Sequence, residues 1–398
     1  MISNTKPSGD QCSACGRNDL TQFFSRKNIP VHMHTLFSDC RQALDIERGS
    51  ILLACCEYCG FVSNLKFELS RMHYDSTYDN SQTYSETYVH YMDDLANQLI
   101  FQKGVNNCTV IEVGCGSGSF LRKLVEKEEA SNKGIGFDPA YRGPDTELDG
   151  RLRFVRQFYD HSASGTQADV IICRHVIEHV PNPFDLLLQV KAALSESPDA
   201  RVFFETPCFE WILRNEAYWD ICYEHCSYFS NNSLHALFER AGFGIKEIER
   251  VFGSQYLWVE AQVSARKDHT SQQGITKAAM DYAAHESAFV AHTKRQLRKF
   301  DGHIAIWGAG AKGVSFANLI DPTRKLVDCL VDLNPQKQGG YIPGTGHPIV
   351  SYQDLPERGV KAALLMNANY REENLLLLQE AGQVLQLLDI GSYVNSEL

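Results

Sequence analysis

Val110-Ile-Glu-Val-Gly-Cys-Gly-Ser-Gly-Ser-Phe120 decides the fold of this chain. A short run of apolar residues leads into three glycines at alternate positions. A helical run through Phe120, Leu121, Leu124 and Val125 follows. A buried strand, a tight turn and a helix start form a cradle for a nucleotide. About 190 residues later the pattern recurs as Ile304-Ala-Ile-Trp-Gly-Ala-Gly-Ala-Lys-Gly313. The chain therefore reads as α/β, with two nucleotide-type units facing one another.

Working outward, 398 residues suffice for two or three domains. With 43% hydrophobic and 22% charged residues the composition is that of ordinary globular material. No apolar run is long enough to span a bilayer, and the first residues lack the apolar core of a signal peptide. The expectation is a soluble cytoplasmic protein without a membrane partner, monomeric or weakly self-associating. A net charge of −11 argues against nucleic acid as a partner, because binding a phosphate backbone needs a basic face. Thirteen cysteines in such a chain point to metal ligands and core thiols, not to a disulfide framework.

Cys12-x2-Cys15 and Cys56-x2-Cys59 each end in glycine, at Gly16 and Gly60. Such a turn presents two sulfurs to one ion, and two turns complete the tetrahedron of a structural zinc. Four thiolates leave no open position for catalysis. Cys55 competes as a ligand, but Cys56 restores the spacing. His32 and His34, between the pairs, read as solvated loop residues, with a place facing the substrate as the alternative. A tyrosine-rich stretch follows, with Tyr78 in a loop placed to lid a pocket, before helical periodicity begins near Ser85.

Beyond the first glycine turn, Lys133–Asp138 reads as a second strand ending in an acid twenty residues after Gly118. A carboxylate there suits ribose hydroxyls. Three details favour S-adenosylmethionine over a nicotinamide cofactor. Glu112 sits inside the strand; the spacing Gly114-x-Gly116-x-Gly118 is not the pyrophosphate pattern; and Ala168–Cys173 leads into Arg174-His-Val-Ile-Glu-His-Val-Pro181. These features together resemble the class I methyltransferases. The resemblance implies that Gly114, Gly116 and Gly118 let the backbone approach the methionine and ribose, that Asp138 holds the ribose, and that Phe158 lies against adenine. It also implies that Arg174 and His175 border the methyl donor. Glu112 has a second reading, as a carboxylate that orders the loop.

Phe203–Pro207 reads as a strand end, and the segment from Phe209 to Ser230 is too aromatic and charged for a routine connection. With the cysteine pairs, Tyr223-Glu-His225, Tyr228-Phe-Ser230 and the second glycine loop, the chain is similar along nearly its whole length to sugar C-methyltransferases. That family methylates carbon in nucleotide-linked keto-deoxysugars. A carbon centre attacks a sulfonium only after losing a proton, so a base and a stabiliser for the enolate oxygen are required. His225 is the candidate base, Glu224 its orienting partner, and His179 and Tyr223 candidates for the oxygen. A lone loop histidine more often serves a structural hydrogen bond, and His179 alternatively braces the turn at Pro181.

The resulting division is a zinc-binding domain at 1–70, a methyltransferase domain at 71–265, a linking helix at 266–300 and a Rossmann-like domain at 301–398. The last carries a dinucleotide-type fingerprint. By resemblance it closes over the sugar nucleotide, with Lys312, Asn367, Asn369, Tyr370 and Arg371 as contacts; a purely structural domain is the alternative. Two other activities stay open: O- or N-methylation of a sugar or other metabolite, and a zinc-containing NAD-dependent oxidoreductase using the second loop.

Overall fold

The computed structural model describes residues 11–73, 78, 80–159, 167–194, 199–265 and 275–391. Three sheets organise them. The first contains β1 (Leu20–Pro30), β2 (Arg48–Cys56) and β3 (Val62–Asn64), antiparallel throughout. Its fourth strand, β10 (Ser227–Tyr228), comes from the aromatic connection far along the chain. This pairing fixes the residues just before it, 222–226, against the N-terminal part.

The central sheet carries β4 (Thr109–Val113), β5 (Lys133–Phe137), β6 (Thr146–Glu147), β7 (Leu152–Val155), β8 (Val170–Arg174), β9 (Arg201–Pro207), β11 (Phe243–Val251) and β12 (Tyr256–Val263). Their order is β11-β12-β9-β8-β4-β5-β7-β6. Strands β7, β5, β4, β8 and β9 are parallel, and β11–β12 is an antiparallel hairpin beside β9. The chain winds one way from β4 through β5 to β7, then crosses to β8 and β9 on the other side. Ligands of open α/β sheets bind at the carboxyl ends of strands where this reversal occurs. Here that place holds the Gly114 turn after β4 and Arg174-His175 at the end of β8.

The third sheet, β15-β14-β13-β16-β17, is wholly parallel: β13 (Ile304–Trp307), β14 (Cys329–Val331), β15 (Ile349–Val350), β16 (Ala362–Leu365) and β17 (Gln386–Asp389). Its own reversal lies at β13, which runs into the second glycine loop. The strand Ala362-Ala-Leu-Leu365 is fully buried, as an apolar run without alternation requires in a parallel sheet.

The described part of the linking helix is Ile275–Arg298. It is no bare linker. Tyr282 packs on Tyr218 and Phe24, and Glu286 pairs with Arg26 of β1. The long connection after β9 is also more ordered than a loop: a helix at Phe209–Arg214 and a turn at Tyr218–Asp220 precede β10. Tyr218 is wholly buried, and its hydroxyl donates to the Tyr282 carbonyl at 2.8 Å. One apolar core thus joins the N-terminal sheet, this connection, the long helix and the third sheet.

Candidate active site

A cavity of about 530 Å³ opens at the carboxyl ends of β4, β5 and β8. Tyr78, Glu112, Gly114, Gly116, Asp138, Phe158, Arg174 and His175 all line it. Gly116 has φ +55°, and no heavy atom lies within 4 Å of where its Cβ would stand, so its backbone is open to a ligand. Its N–H donates to Asp138 Oδ2 at 2.9 Å, while Ala140 N–H donates to Oδ1 at 2.8 Å. Asp138 is thereby clamped over the glycine turn. Burial holds Glu112 up at about 8, against the pull of Arg174, and its Oε2 is buried without a hydrogen-bond partner. Gly118 does not line the cavity: a Cβ there would meet the Phe154 ring at 2.4 Å, so this glycine serves packing behind the loop.

Arg174 is buried, and its Nε donates to Glu205 Oε2 at 2.6 Å. Glu205 sits opposite Arg174 in the register of β9 with β8 and accepts from Tyr91 Oη at 2.7 Å. His175 follows in a left-handed conformation, φ +52°, which few non-glycine residues adopt. Its Nε2 lies 3.4 Å from Glu205 Oε1 and its Nδ1 3.6 Å from Glu178 Oε1. Burial alone would lower its pKa, but Glu205 and Glu178 outweigh burial and push it up to about 10. Glu205 is held down at about 2: burial would raise it, and Arg174 with His175 prevails. Arg174, Glu205, His175 and Glu178 thus form a buried series of alternating charge. Glu205 and Glu178 were not anticipated; the unpaired acid inside Phe203-Phe-Glu-Thr206 was the available signal.

A second cavity, about 270 Å³, adjoins the first. His175, His179, Tyr78 and Gln82 line both. Here His179 and His225 meet edge to face, with ring centroids 4.9 Å apart. Burial lowers the pKa of both, that of His225 to about 3, which favours the uncharged ring. His225 Nδ1 is buried with no hydrogen-bond partner. Glu224 does not face this ring: its carboxylate accepts from Met33 N–H and, at 3.2 Å, from Tyr78 Oη. Burial raises it to about 7. Tyr223 lies away from both cavities: its hydroxyl accepts from Glu68 N–H at 3.0 Å and donates to the Lys66 carbonyl at 3.3 Å. Its ring lies under the N-terminal sheet against Gly49, where a Cβ would meet it at 2.5 Å. His34, expected in solvent, lines the second cavity, and His32 is buried with Nε2 3.2 Å from the Arg71 carbonyl.

Known proteins bear on this geometry. Residues 84–248 match the methyltransferase domain family, and residues 260–383 match the C-methyltransferase C-terminal domain family. The C-methyltransferase NovU of Streptomyces niveus is 24% identical over 396 residues, covering 92% of this chain and 91% of NovU. The chain is an S-adenosylmethionine-dependent methyltransferase. A ubiquinone biosynthesis O-methyltransferase of Vibrio campbellii is 32% identical over 127 residues, 30% of this chain and 52% of that enzyme. The chain therefore spans about half the length of such O-methyltransferases. The solved magnesium protoporphyrin IX methyltransferase of Synechocystis with bound SAH overlaps 45% of this chain and 84% of its own, at 14% identity and a TM-score of 0.35. The fold of residues 84–248 is the class I methyltransferase α/β fold, as the order of strands around β4 indicates.

The methyltransferase closes its second cavity with the C-terminal glycine loop. Gly308, Gly310, Lys312, Asn367 and Tyr370 line it, together with Trp211, Gln255 and Asp332. Lys312 is partly engaged: its Nζ lies 3.2 Å from Asp220 Oδ2 and donates to Gln255 Oε1 at 2.7 Å. Arg371 lies outside, bonded to the Leu387 carbonyl and 3.0 Å from Asp389 Oδ2. Asn369 also turns away, its Nδ2 donating to the Phe252 carbonyl at 2.9 Å. Both belong to the turn Ala368–Tyr370 and the helix after it, which rotates them off the strand edge that carries Asn367. Asp332 accepts from Ala309 N–H at 3.0 Å and Asn334 N–H at 2.9 Å, repeating the clamp that Asp138 makes on the first loop.

The sulfurs of Cys12, Cys15, Cys56 and Cys59 all lie within 4.8 Å of one another. The pairs Cys12–Cys59 and Cys15–Cys56 are each 3.6 Å apart. Cys55 points elsewhere, its sulfur 3.5 Å from Thr276 Oγ1. Among the described residues no helix is long and apolar enough to cross a membrane.

Proposed function

We propose that the enzyme methylates a carbon atom of a nucleotide-linked keto-deoxysugar, with His225 as the base. The observation that carries this reading is the half-buried imidazole of His225, which lines the second cavity against His179 with its Nδ1 shut off from solvent and unpartnered. Transfer to a hydroxyl or amine needs mainly placement in line. Transfer to carbon needs a proton removed first, and an uncharged imidazole is equipped to remove it.

S-adenosylmethionine supplies an electrophilic methyl group. The residues fit it: Gly116 leaves an open backbone approach, and the clamped Asp138 carboxylate is placed for ribose hydroxyls. Exposed Phe158 offers a face to adenine. His225 accepts the α-proton of the ketone, the C–H electron pair passes to the carbonyl oxygen, and His179 is positioned beside the developing oxyanion. Tyr78 lines both cavities and donates to Glu224 between them. The second glycine loop, with Lys312, Asn367 and Tyr370, takes the nucleotide part of the sugar donor. The similarity to NovU along nearly the whole chain supports carbon over oxygen, since the O-methyltransferases share only the cofactor core.

The cysteine cluster is proposed to hold structural zinc. Tetrahedral Zn–S bonds of about 2.3 Å place sulfurs ~3.8 Å apart, near the spacing of each pair. The site tethers the β1–β3 sheet, whose Val31–Phe37 extension reaches Glu224 through Met33. We read the enzyme as cytoplasmic and free of nucleic-acid partners. The test is product analysis with 13C-methyl S-adenosylmethionine and nucleoside-diphosphate 4-keto-6-deoxysugars. Label on a sugar carbon supports the proposal; label only on oxygen or nitrogen, or saturable NAD binding with no methyl transfer, refutes it.

A further inference from the structure

Glu224 precedes the base in sequence, yet its carboxylate is taken up by Met33 N–H and Tyr78 Oη. A different carboxylate faces the histidine pair. Glu178, 2% exposed, stands in the turn Ile177–His179 just past β8. One of its carboxylate oxygens and one ring nitrogen each of His179 and His225 lie within 4.8 Å of one another. Its Oε2 also accepts from Thr206 Oγ1 at 3.1 Å, and Oε1 faces His175 Nδ1 at 3.6 Å. Two elements therefore hold this carboxylate in place.

Resting on the reading of His225 as base, we propose that Glu178 is its positioning carboxylate. It fixes the His179–His225 pair and supplies the negative charge beside which His225 becomes an imidazolium. A neutral imidazole surrounded by protein gains little from taking a proton unless an anion is close, because burial opposes the new charge. The buried series Arg174, Glu205, His175, Glu178 alternates in sign and ends in an anion at the imidazoles. The proton from the α-carbon arrives on the His225 ring and its electron pair moves onto the ketone oxygen. The enolate pair then returns from oxygen to reform the C=O, the α-carbon uses its pair to bond the methyl carbon, the methyl–sulfur bond breaks with sulfur keeping its pair, and the imidazolium releases its proton to water.

The groups that face this centre come from every side. His175 and His179 share the turn; Glu205 lies on β9; Arg174 and Cys173 end β8; Cys222, Glu224 and Cys226 flank His225; Lys312 approaches from the C-terminal loop. Among them Glu178 and Glu205 are the anions held below the usual carboxylate range; Glu205 is paired with Arg174, and Glu178, which faces His175 on one side, is the one that stands beside the His179–His225 pair.

The test measures deuterium wash-in at the α-carbon of a nucleoside-diphosphate 4-keto-6-deoxysugar, without methyl donor, across the pH range. Glu178→Gln should slow exchange about 10–100-fold, by analogy with the loss of a carboxylate that orients a metal-bound histidine. Its acid limb should move to lower pH, Glu178→Asp should recover part of the rate, and S-adenosylmethionine affinity should stay within about twofold, since Glu178 does not line that cavity. Wild-type exchange in Glu178→Gln, with His225→Ala inactive, overturns the inference and leaves the base in place. A slowed rate with an unmoved profile and no recovery by Asp also overturns it, as a structural loss. Exchange surviving in His225→Ala overturns the base assignment itself and the role of Glu178 with it.

Discussion

Glu205→Gln tests whether the buried charge series holds the site together. The Arg174–Glu205 contact is 2.6 Å, with side chains 6% and 0% exposed, so water cannot rescue the arginine once its partner is neutral. Breaking such a pair costs about 3–5 kcal/mol. Gln keeps the shape and an accepting carbonyl, which puts the loss near the lower end, about 3 kcal/mol. At ~2–4 °C per kcal/mol for a domain of this size, the melting temperature should fall about 6–12 °C. The pH dependence carries a second signature. His175, raised to about 10, contributes stability that is full below its ordinary value of 6.5 and is lost as pH rises through about 10. Glu205, lowered to about 2 from 4.5, contributes stability present above the ordinary value and lost as pH falls toward 2. In Glu205→Gln the alkaline loss between 6.5 and 10 should flatten, because His175 keeps only Glu178 as an anionic partner. Calorimetry of the full chain at several pH values reads both. A double variant, Arg174→Met with Glu205→Gln, should recover part of the loss. A Glu205→Gln protein melting within about 1 °C of wild type, or a double variant worse than the sum of the singles, refutes the reasoning.

Three further outcomes are expected. Cys56→Ser should lower bound zinc from one ion per chain and destabilise the protein, whereas Cys55→Ser should retain the metal; elemental analysis of both variants decides. Gly114→Ala places a Cβ 2.2 Å from Val176 Cγ2 at φ +69°. With ~1–2 kcal/mol of left-handed strain alone, it should weaken S-adenosylmethionine binding at least about tenfold by calorimetric titration. Arg371→Ala should leave kcat/KM within about twofold, because its guanidinium is spent on Leu387 and Asp389.

The elements around the first glycine turn were legible because an apolar parallel strand, a glycine turn and a helix start differ in residue type at each step. Ser85 before the helix Glu86–Asn97 was equally plain. Side-chain direction inside the irregular segment 222–226 was not. No periodicity governs it, so the adjacency of Glu224 and His225 in sequence suggested a partnership that the β10 pairing turns apart. Glu178 escaped notice because a one-turn helix places residues 175, 178 and 179 together without a repeating pattern to reveal it. Arg371 misled for a related reason: the strand Ala362–Leu365 ends sooner than its sequence suggests, and the next helix carries Arg371 away. The cysteine spacing marked out a compact cluster because two paired knuckles need only local backbone turns, seen in the Gly16→Cys12 and Gly60→Cys56 hydrogen bonds of 2.8 Å.

The central claim is that His225 takes a proton from carbon before the methyl group moves. It is tested most directly by incubating wild type and His225→Ala with a nucleoside-diphosphate 4-keto-6-deoxysugar in heavy water without methyl donor, and following the α-carbon by NMR. The account predicts deuterium at that carbon with wild type and none above background with His225→Ala, while both bind S-adenosylmethionine alike. Equal exchange in the two proteins, or none in a wild type that methylates the same sugar, would contradict it.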